Sequence, residues 1–197
     1  MNEPQGIVNA TMKLAILASL GLLTLGPLAP NCVAENANCA SELAQAKQVA
    51  AKQDYATFDQ TAGGGWRLLA EKDTCLAEAG ELIDFYLARR PDLQRSQRVN
   101  LSFHAGQVYA LAGKNDDAVK RFRRAVVNPS VPLEFKWSEY VLATIAFLEH
   151  DADSLVKNRD IIADAVSYSS NGSNLQVVDL LIKNFGRSYK DAIRSKQ

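Results

Sequence analysis

The chain is poor in the side chains that usually carry chemistry: it has two histidines, His104 and His150, two methionines and three cysteines. Neither histidine belongs to an HExxH run or to a Cys/His set with ligand spacing, so no protein zinc site is legible. No GxSxG is present, and no cysteine has a histidine placed to activate it. The GGGW at 63–66 lacks the Lys and Ser/Thr of a phosphate loop and follows no strand, so it reads as a flexible break beside an anchoring Trp66. Excess charge of one sign is missing too. Lys plus Arg and Asp plus Glu are 22 each, and a balanced chain gives no global attraction for nucleic acid. After residue 40 no stretch alternates apolar and polar residues between turn signals, which excludes a sheet and leaves an all-α domain. Hydrophobic residues at 47% and charged residues at 22% are ordinary for a globular chain and argue against several membrane spans.

The first 34 residues differ from the rest. MKLAILASLGLLTLGPLAPNCVA, from Met12 to Ala34, has one Lys, an apolar run, a Gly-Pro break and then small residues, the outline of a secretory signal. Residues 1–34 are read as signal peptide, with Met12 an alternative start because MNEPQGIVNAT carries Glu3 and no base. The uninterrupted run from Leu14 to Gly26 is short for a bilayer span of about 20 residues, so an uncleaved anchor is the alternative and the only expected membrane contact. Lipidation would need a small residue before Cys32, where Pro30 and Asn31 stand.

Cleavage after Ala34 removes Cys32 and leaves Cys39 and Cys75, an even pair suited to an oxidising compartment. The expectation is a Cys39–Cys75 disulfide, worth about 3 to 4 kcal/mol for a loop of this length if unstrained. In the alternative, Cys75 is a small buried hydrophobe and Cys39 a terminal thiol.

Residues 35–197 form one domain of helices, with a periodic run from Ser41 to Phe58, a short helix from Trp66 to Lys72 and another capped at Asp73 or Thr74. The last of these places Leu76, Ala79, Leu82, Ile83, Tyr86 and Leu87 on one face before Pro91. Helices over 96–111 and 116–127 follow, the second ended by Pro129, then a third pair over 132–149 and 153–166 with HDAD as its turn. Ser173 and Gln176 fit a capping box for a helix over 174–185.

Residues 99–132 resemble one tetratricopeptide repeat. The family's GxxY stands at Gly106 and Tyr109, its interhelix Gly at Gly113, and its AxxxF at Ala118 and Phe122, with a further small residue at Ala125. Ser102 and Ala105 replace the family's Trp and Leu, and Pro129 arrives one residue early. The set GGGWR, FHAGQVYALAG, ATIAFL and VVDLLIKNFGRSY also resembles a group of exported bacterial proteins with no activity attached to them. The tetratricopeptide resemblance implies a right-handed stack of antiparallel helix hairpins, an α-solenoid closed by a C-terminal cap over 174–197. In that packing Gly106 and Ala118 let the two helices of a hairpin approach, Tyr109 fills the gap and Phe122 reaches the next unit.

The resemblance also implies partner binding on the concave face, where Asn100, Phe103, Gln107 and Leu111 stand off the packing face. Contacts with the neighbouring hairpin are the bland alternative, and they suit Phe103 and Leu111 better. Charge supplies a second candidate. Between Glu35 and Asp84 nine acids face four bases, whereas between Arg89 and Arg124 nine bases face three acids. Lys120, Arg121, Arg123 and Arg124 around Phe122, with Arg89, Arg90, Arg95 and Arg98 before them, could form a basic patch for an acidic partner or anionic lipid; otherwise they are a solvated face. Glu78, Glu81 and Asp84 on one helix read as solvated charges, His104 as a packed residue, and Trp137 and Tyr140 as core.

The expectation is therefore a noncatalytic protein-interaction or scaffolding module, periplasmic or secreted, with a protein or peptide partner, no cofactor and no nucleic acid. The alternatives are an enzyme or enzyme subunit using carboxylates, or an envelope-complex assembly factor acting through the basic patch. Thiol titration of the mature, unreduced chain under denaturant should find no free thiol; two reactive thiols would exclude the disulfide.

Overall fold

The computed structural model describes residues 31–128 and 134–195, and all regular structure among them is helical. Residues 1–30, on which most of the expected signal peptide falls, and Pro129 and Pro132 lie outside the described residues. The helices are α1 (Asn31–Ala50), α2 (Arg67–Ala70), α3 (Leu76–Arg89), α4 (Arg95–Leu111), α5 (Asn115–Ala125), α6 (Trp137–Leu148), α7 (Ala152–Ala163), α8 (Ser169–Lys183) and α9 (Tyr189–Arg194). None of the described helices is long and apolar enough to cross a membrane. From α3 onward each helix packs on the next in sequence, α6 also touches α8, and α9 returns to α4.

The first helix ends earlier than its composition predicts. α1 buries Cys39, Leu43 and Ala50 at helical spacing and stops at Ala50, and a separate π-helical turn covers Ala56–Gln60. The Asp54 carboxylate accepts from the Thr57 backbone N–H at 2.7 Å, an alternative to continuing the helix ladder, and the new turn buries Phe58 and Asp59. Cys39 and Cys75 form the disulfide, with Cα atoms 5.3 Å apart, tying α1 to the start of α3. Lys72 binds Glu42 beside it.

The GGGW loop is a close-packed joint and not the flexible break that its glycines suggest. Gly65 has φ +54°, and a Cβ there would stand 1.9 Å from the Phe58 carbonyl oxygen. Phe58 in turn stacks on Tyr86 of α3 with ring centroids 3.8 Å apart. α3 starts at Leu76 after a 3₁₀ turn over Asp73–Cys75 and has no side-chain cap, because Asp73 is engaged elsewhere. Its carboxylate binds Arg194 of α9 through two bonds of 2.8 and 2.9 Å and Lys190 at 3.1 Å, so the end of the chain is fastened to the start of α3.

α4 and α5 fold back on each other through a turn in which Gly113 has φ +75°. The small residues work here as expected, but their partners differ. A Cβ on Gly106 would stand 2.7 Å from the Phe122 ring, so Phe122 fills space inside its own hairpin. Tyr109 leaves the hairpin for α3, lying against Gly80, where a Cβ would also fall 2.7 Å from the ring. Phe103, Phe122, Trp137 and Tyr140 then form an aromatic cluster joining α4 and α5 to α6, with Trp137 Nε1 donating to the Ala125 carbonyl.

At the C-terminal side Asp151 caps α7 and Ser188 caps α9. The expected capping box of Ser173 and Gln176 does not form, since α8 already begins at Ser169 and both residues lie within it. Asn171 holds this region instead: fully buried, it accepts from the Lys136 backbone N–H and donates to the carbonyls of Glu134 and Ala165. Gly65→Ala should destabilise the protein by about 2 to 3 kcal/mol through its positive φ and the clash with Phe58; urea unfolding with an unchanged m-value measures it.

Candidate functional site

Two polar centres flank α4. The first is built around Asp59, which the π-helical turn places in the interior. Its Oδ1 lies 2.8 Å from His104 Nδ1 and accepts from Trp66 Nε1 at 2.9 Å, and its Oδ2 accepts from Gln60 Nε2 at 2.6 Å. The Arg67 guanidinium lies over the Trp66 ring, 3.9 Å from Oδ1, and also donates to the Asp59 main-chain carbonyl. Burial alone would raise the Asp59 pKa; the hydrogen bond and charge of His104, then Trp66 and Arg67, outweigh it and hold the carboxyl down at about 2. An ionised carboxylate only accepts, which makes His104 Nδ1 the donor. Tyr55 borders the centre; its hydroxyl accepts from Gln60 and Asn100, and burial pushes its pKa up to about 12. Every arm of this carboxylate is occupied by a group that holds backbone elements together.

The second centre is a cleft of about 590 Å³ between α3, α4 and α5. α4 turns Arg95, Arg98, Val99 and Ser102 toward it, one face at three- and four-residue spacing. α3 contributes Asp84, Leu87 and Ala88, and α5 contributes Arg121 and Arg124, with Val126 just beyond. Asp84, Tyr109 and Arg121 tie the three helices together at this cleft. Asp84 Oδ2 accepts from the Tyr109 hydroxyl at 2.9 Å and from Arg121 at 2.6 Å, and Arg121 also reaches Asp117 at 3.4 Å. The bond to Asp84 raises the Arg121 pKa, and burial followed by Asp84 raises that of Tyr109. Arg98 donates to the Arg90 carbonyl, while Arg95 and Arg124 have no ion-pair partner among the described residues.

The structure separates the residues that the sequence grouped together. Phe103 is core at 6% exposure, Asn100 binds Tyr55, Gln107 is half-buried and acts on Tyr189 of α9, and Leu111 is half-buried against the core. The expected concave set is thus engaged within the chain. The basic residues of α5 divide: Phe122 between them is fully buried, Arg123 pairs with Glu149 at 2.7 Å, Lys120 stands 3.8 Å from Asp117, and Arg121 and Arg124 face the cleft. Asp84 is no solvated helix charge, and His104 is a packed residue as read. Asp59 was missed, and its one sequence signal is an acid set directly beside Phe58 in an otherwise apolar-anchored turn. Among the described residues no three His, Cys, Asp or Glu side chains gather as metal ligands.

Compared with family models, with curated proteins and with solved structures, the chain has no match, so the reading of the site rests on its own geometry.

Asp59 also makes stability depend on pH. Because its folded pKa lies below the ordinary 3.8, its contribution of about 2 kcal/mol is present above pH 3.8 and is lost as pH falls toward about 2. Unfolding titrations between pH 2 and 6 should show that loss in the wild type. Asp59→Asn should be less stable at pH 7 and lack that component.

Proposed function

We propose that this protein is a noncatalytic interaction module of the cell envelope or secreted space, which engages an acidic protein partner through the arginine-lined cleft. The observation that carries the reading is the pairing pattern. Arg121 is paired with Asp84, but among the described residues Arg95, Arg98 and Arg124 form no ion pair, at a recess with partly apolar walls. Guanidinium groups in a concave, partly apolar wall focus a positive field and offer paired donors to carboxylates. Retaining such a cluster costs self-repulsion, which a partner's negative charge relieves.

An arrangement of stacked hairpins like that of tetratricopeptide repeats is part of the proposal. The packing of α3 on α4, α4 on α5 and α5 on α6, with Gly106 and Ala118 in the second pair, supports it. The engagement of Asn100, Phe103 and Gln107 within the chain shifts the proposed binding surface from the concave face to the cleft. Export accounts for the leader pattern and agrees with the Cys39–Cys75 disulfide. The enzyme alternative would need a carboxyl poised to exchange protons near neutral pH, and Asp59, held low and saturated with donors, gives it no support.

Crosslinking in the native cell, followed by mass spectrometry, tests the reading. Wild-type protein should capture a partner through an acidic segment, and Arg95→Glu with Arg124→Glu should abolish that capture without lowering the unfolding midpoint. Equal capture by the variant overturns it. Arg121 is unsuitable for this purpose, because reversing it strands Asp84 and Tyr109.

A further inference from the structure

We infer that the cleft takes a short acidic peptide segment of its partner, with one side-chain carboxylate seated on the Ser102 hydroxyl between Arg98 and Arg124. This rests on the binding reading above and adds to it a residue that charge alone does not select. Ser102 is 5% exposed and lines the cleft, yet its hydroxyl makes no hydrogen bond to any described residue. A buried serine inside a helix ordinarily bonds back to the carbonyl four residues earlier, as the neighbouring Thr144 does to Tyr140 in α6. A hydroxyl without that bond is a free donor, and here it faces a recess rimmed by cations. Arg98 lies one helical turn before it on the same face, and its guanidinium spends one donor on the Arg90 carbonyl and retains others.

The geometry also selects the class of ligand. A cleft of about 590 Å³ has the size of a site for a small organic ligand or a few residues of peptide, and a lone inorganic anion fills little of it. Leu87, Val99 and Val126 line the same cleft as the arginines, so a segment that carries both acidic and apolar side chains matches the lining. A flat membrane surface is a poor match for a hydroxyl on a residue only 5% exposed within a cleft. Arg121 is already paired with Asp84 and offers an anion little charge, and that leaves Ser102 with Arg98 and Arg124 as the seat.

The test uses the full chain and a fluorescein-labelled hexapeptide of alternating Asp and Leu with blocked ends, read by anisotropy. Saturable binding is expected, weakened at least tenfold by Arg124→Glu and about tenfold by Ser102→Ala, with the salt dependence lost only in the arginine variant. Ser102→Ala should keep the wild-type unfolding midpoint, and Arg123→Glu, which lies outside the cleft, should bind as wild type. Binding that is indifferent to Ser102→Ala overturns the seat and leaves the acidic-partner reading standing. Binding of inorganic phosphate or of phosphatidylglycerol vesicles in a Ser102-dependent way, with no binding of the peptide, overturns the peptide assignment. If the peptide, phosphate and vesicles all fail to bind, the inference falls, and the crosslinking result decides the broader reading separately.

Discussion

The buried carboxylate of Asp59 is the constraint on which the N-terminal half of the molecule depends. An ionised acid in the interior is costly unless its lone pairs are all met, and this one draws donors from three separate places: Gln60 in its own turn, Trp66 after the glycine run, and His104 on α4. Meeting that demand fixes where α1 must stop, why the chain makes a π-helical turn, and how closely Gly65 must approach Phe58. Phe58 then stacks on Tyr86, whose hydroxyl returns to the Gln53 carbonyl, so one charge organises the joint between α1, α3 and α4. The disulfide and the Lys72–Glu42 pair act on the same joint from outside.

A second carboxylate does for α3, α4 and α5 what Asp59 does for the first joint. Asp84 satisfies both Tyr109 and Arg121, and Gly80 lets the Tyr109 ring lie close against α3. Beyond this network the three helices leave a recess into which α4 sends its arginines and Ser102. The basic cleft and the packed network are therefore two parts of one arrangement: where Asp84 meets Arg121 the helices are locked, and beside that pair Arg95, Arg98 and Arg124 line the recess. Outside this cleft α9 returns to α4, and its Arg194 pairs with Asp73 ahead of α3.

Much of the helical scaffold was legible because helical periodicity and small-residue spacing are local signals. The stripe Leu76, Ala79, Leu82, Ile83 and Tyr86 is buried as its spacing predicts, and Gly106, Ala118 and Ala125 are close-packing positions as their size predicts. The large residues were less legible. Phe122 and Tyr109 exchange the roles assigned to them, because an aromatic ring goes wherever a neighbour lacks a Cβ, and Gly80 lies 29 residues from Tyr109. The capping box at Ser173 was outcompeted by Asn171, which satisfies three backbone groups at once.

By itself the sequence determined the all-helical class and the close approach of α4 to α5, since each follows from residue type at short range; it offered Cys39 with Cys75 as the expected pair only with Cys32 set aside, and the structure closes that pair. It also determined that basic charge gathers between Arg89 and Arg124. Only the tertiary structure decided which of those charges remain available. For two of them pairing depends on carboxylates brought in from distant elements: Asp84 takes Arg121 across 37 residues and Glu149 takes Arg123 across 26, while Arg95, Arg98 and Arg124, without an ion pair among the described residues, line the cleft with Ser102. A one-dimensional pattern records how many charges a segment carries, but the free ones are set by which helix faces meet, and that is a property of packing.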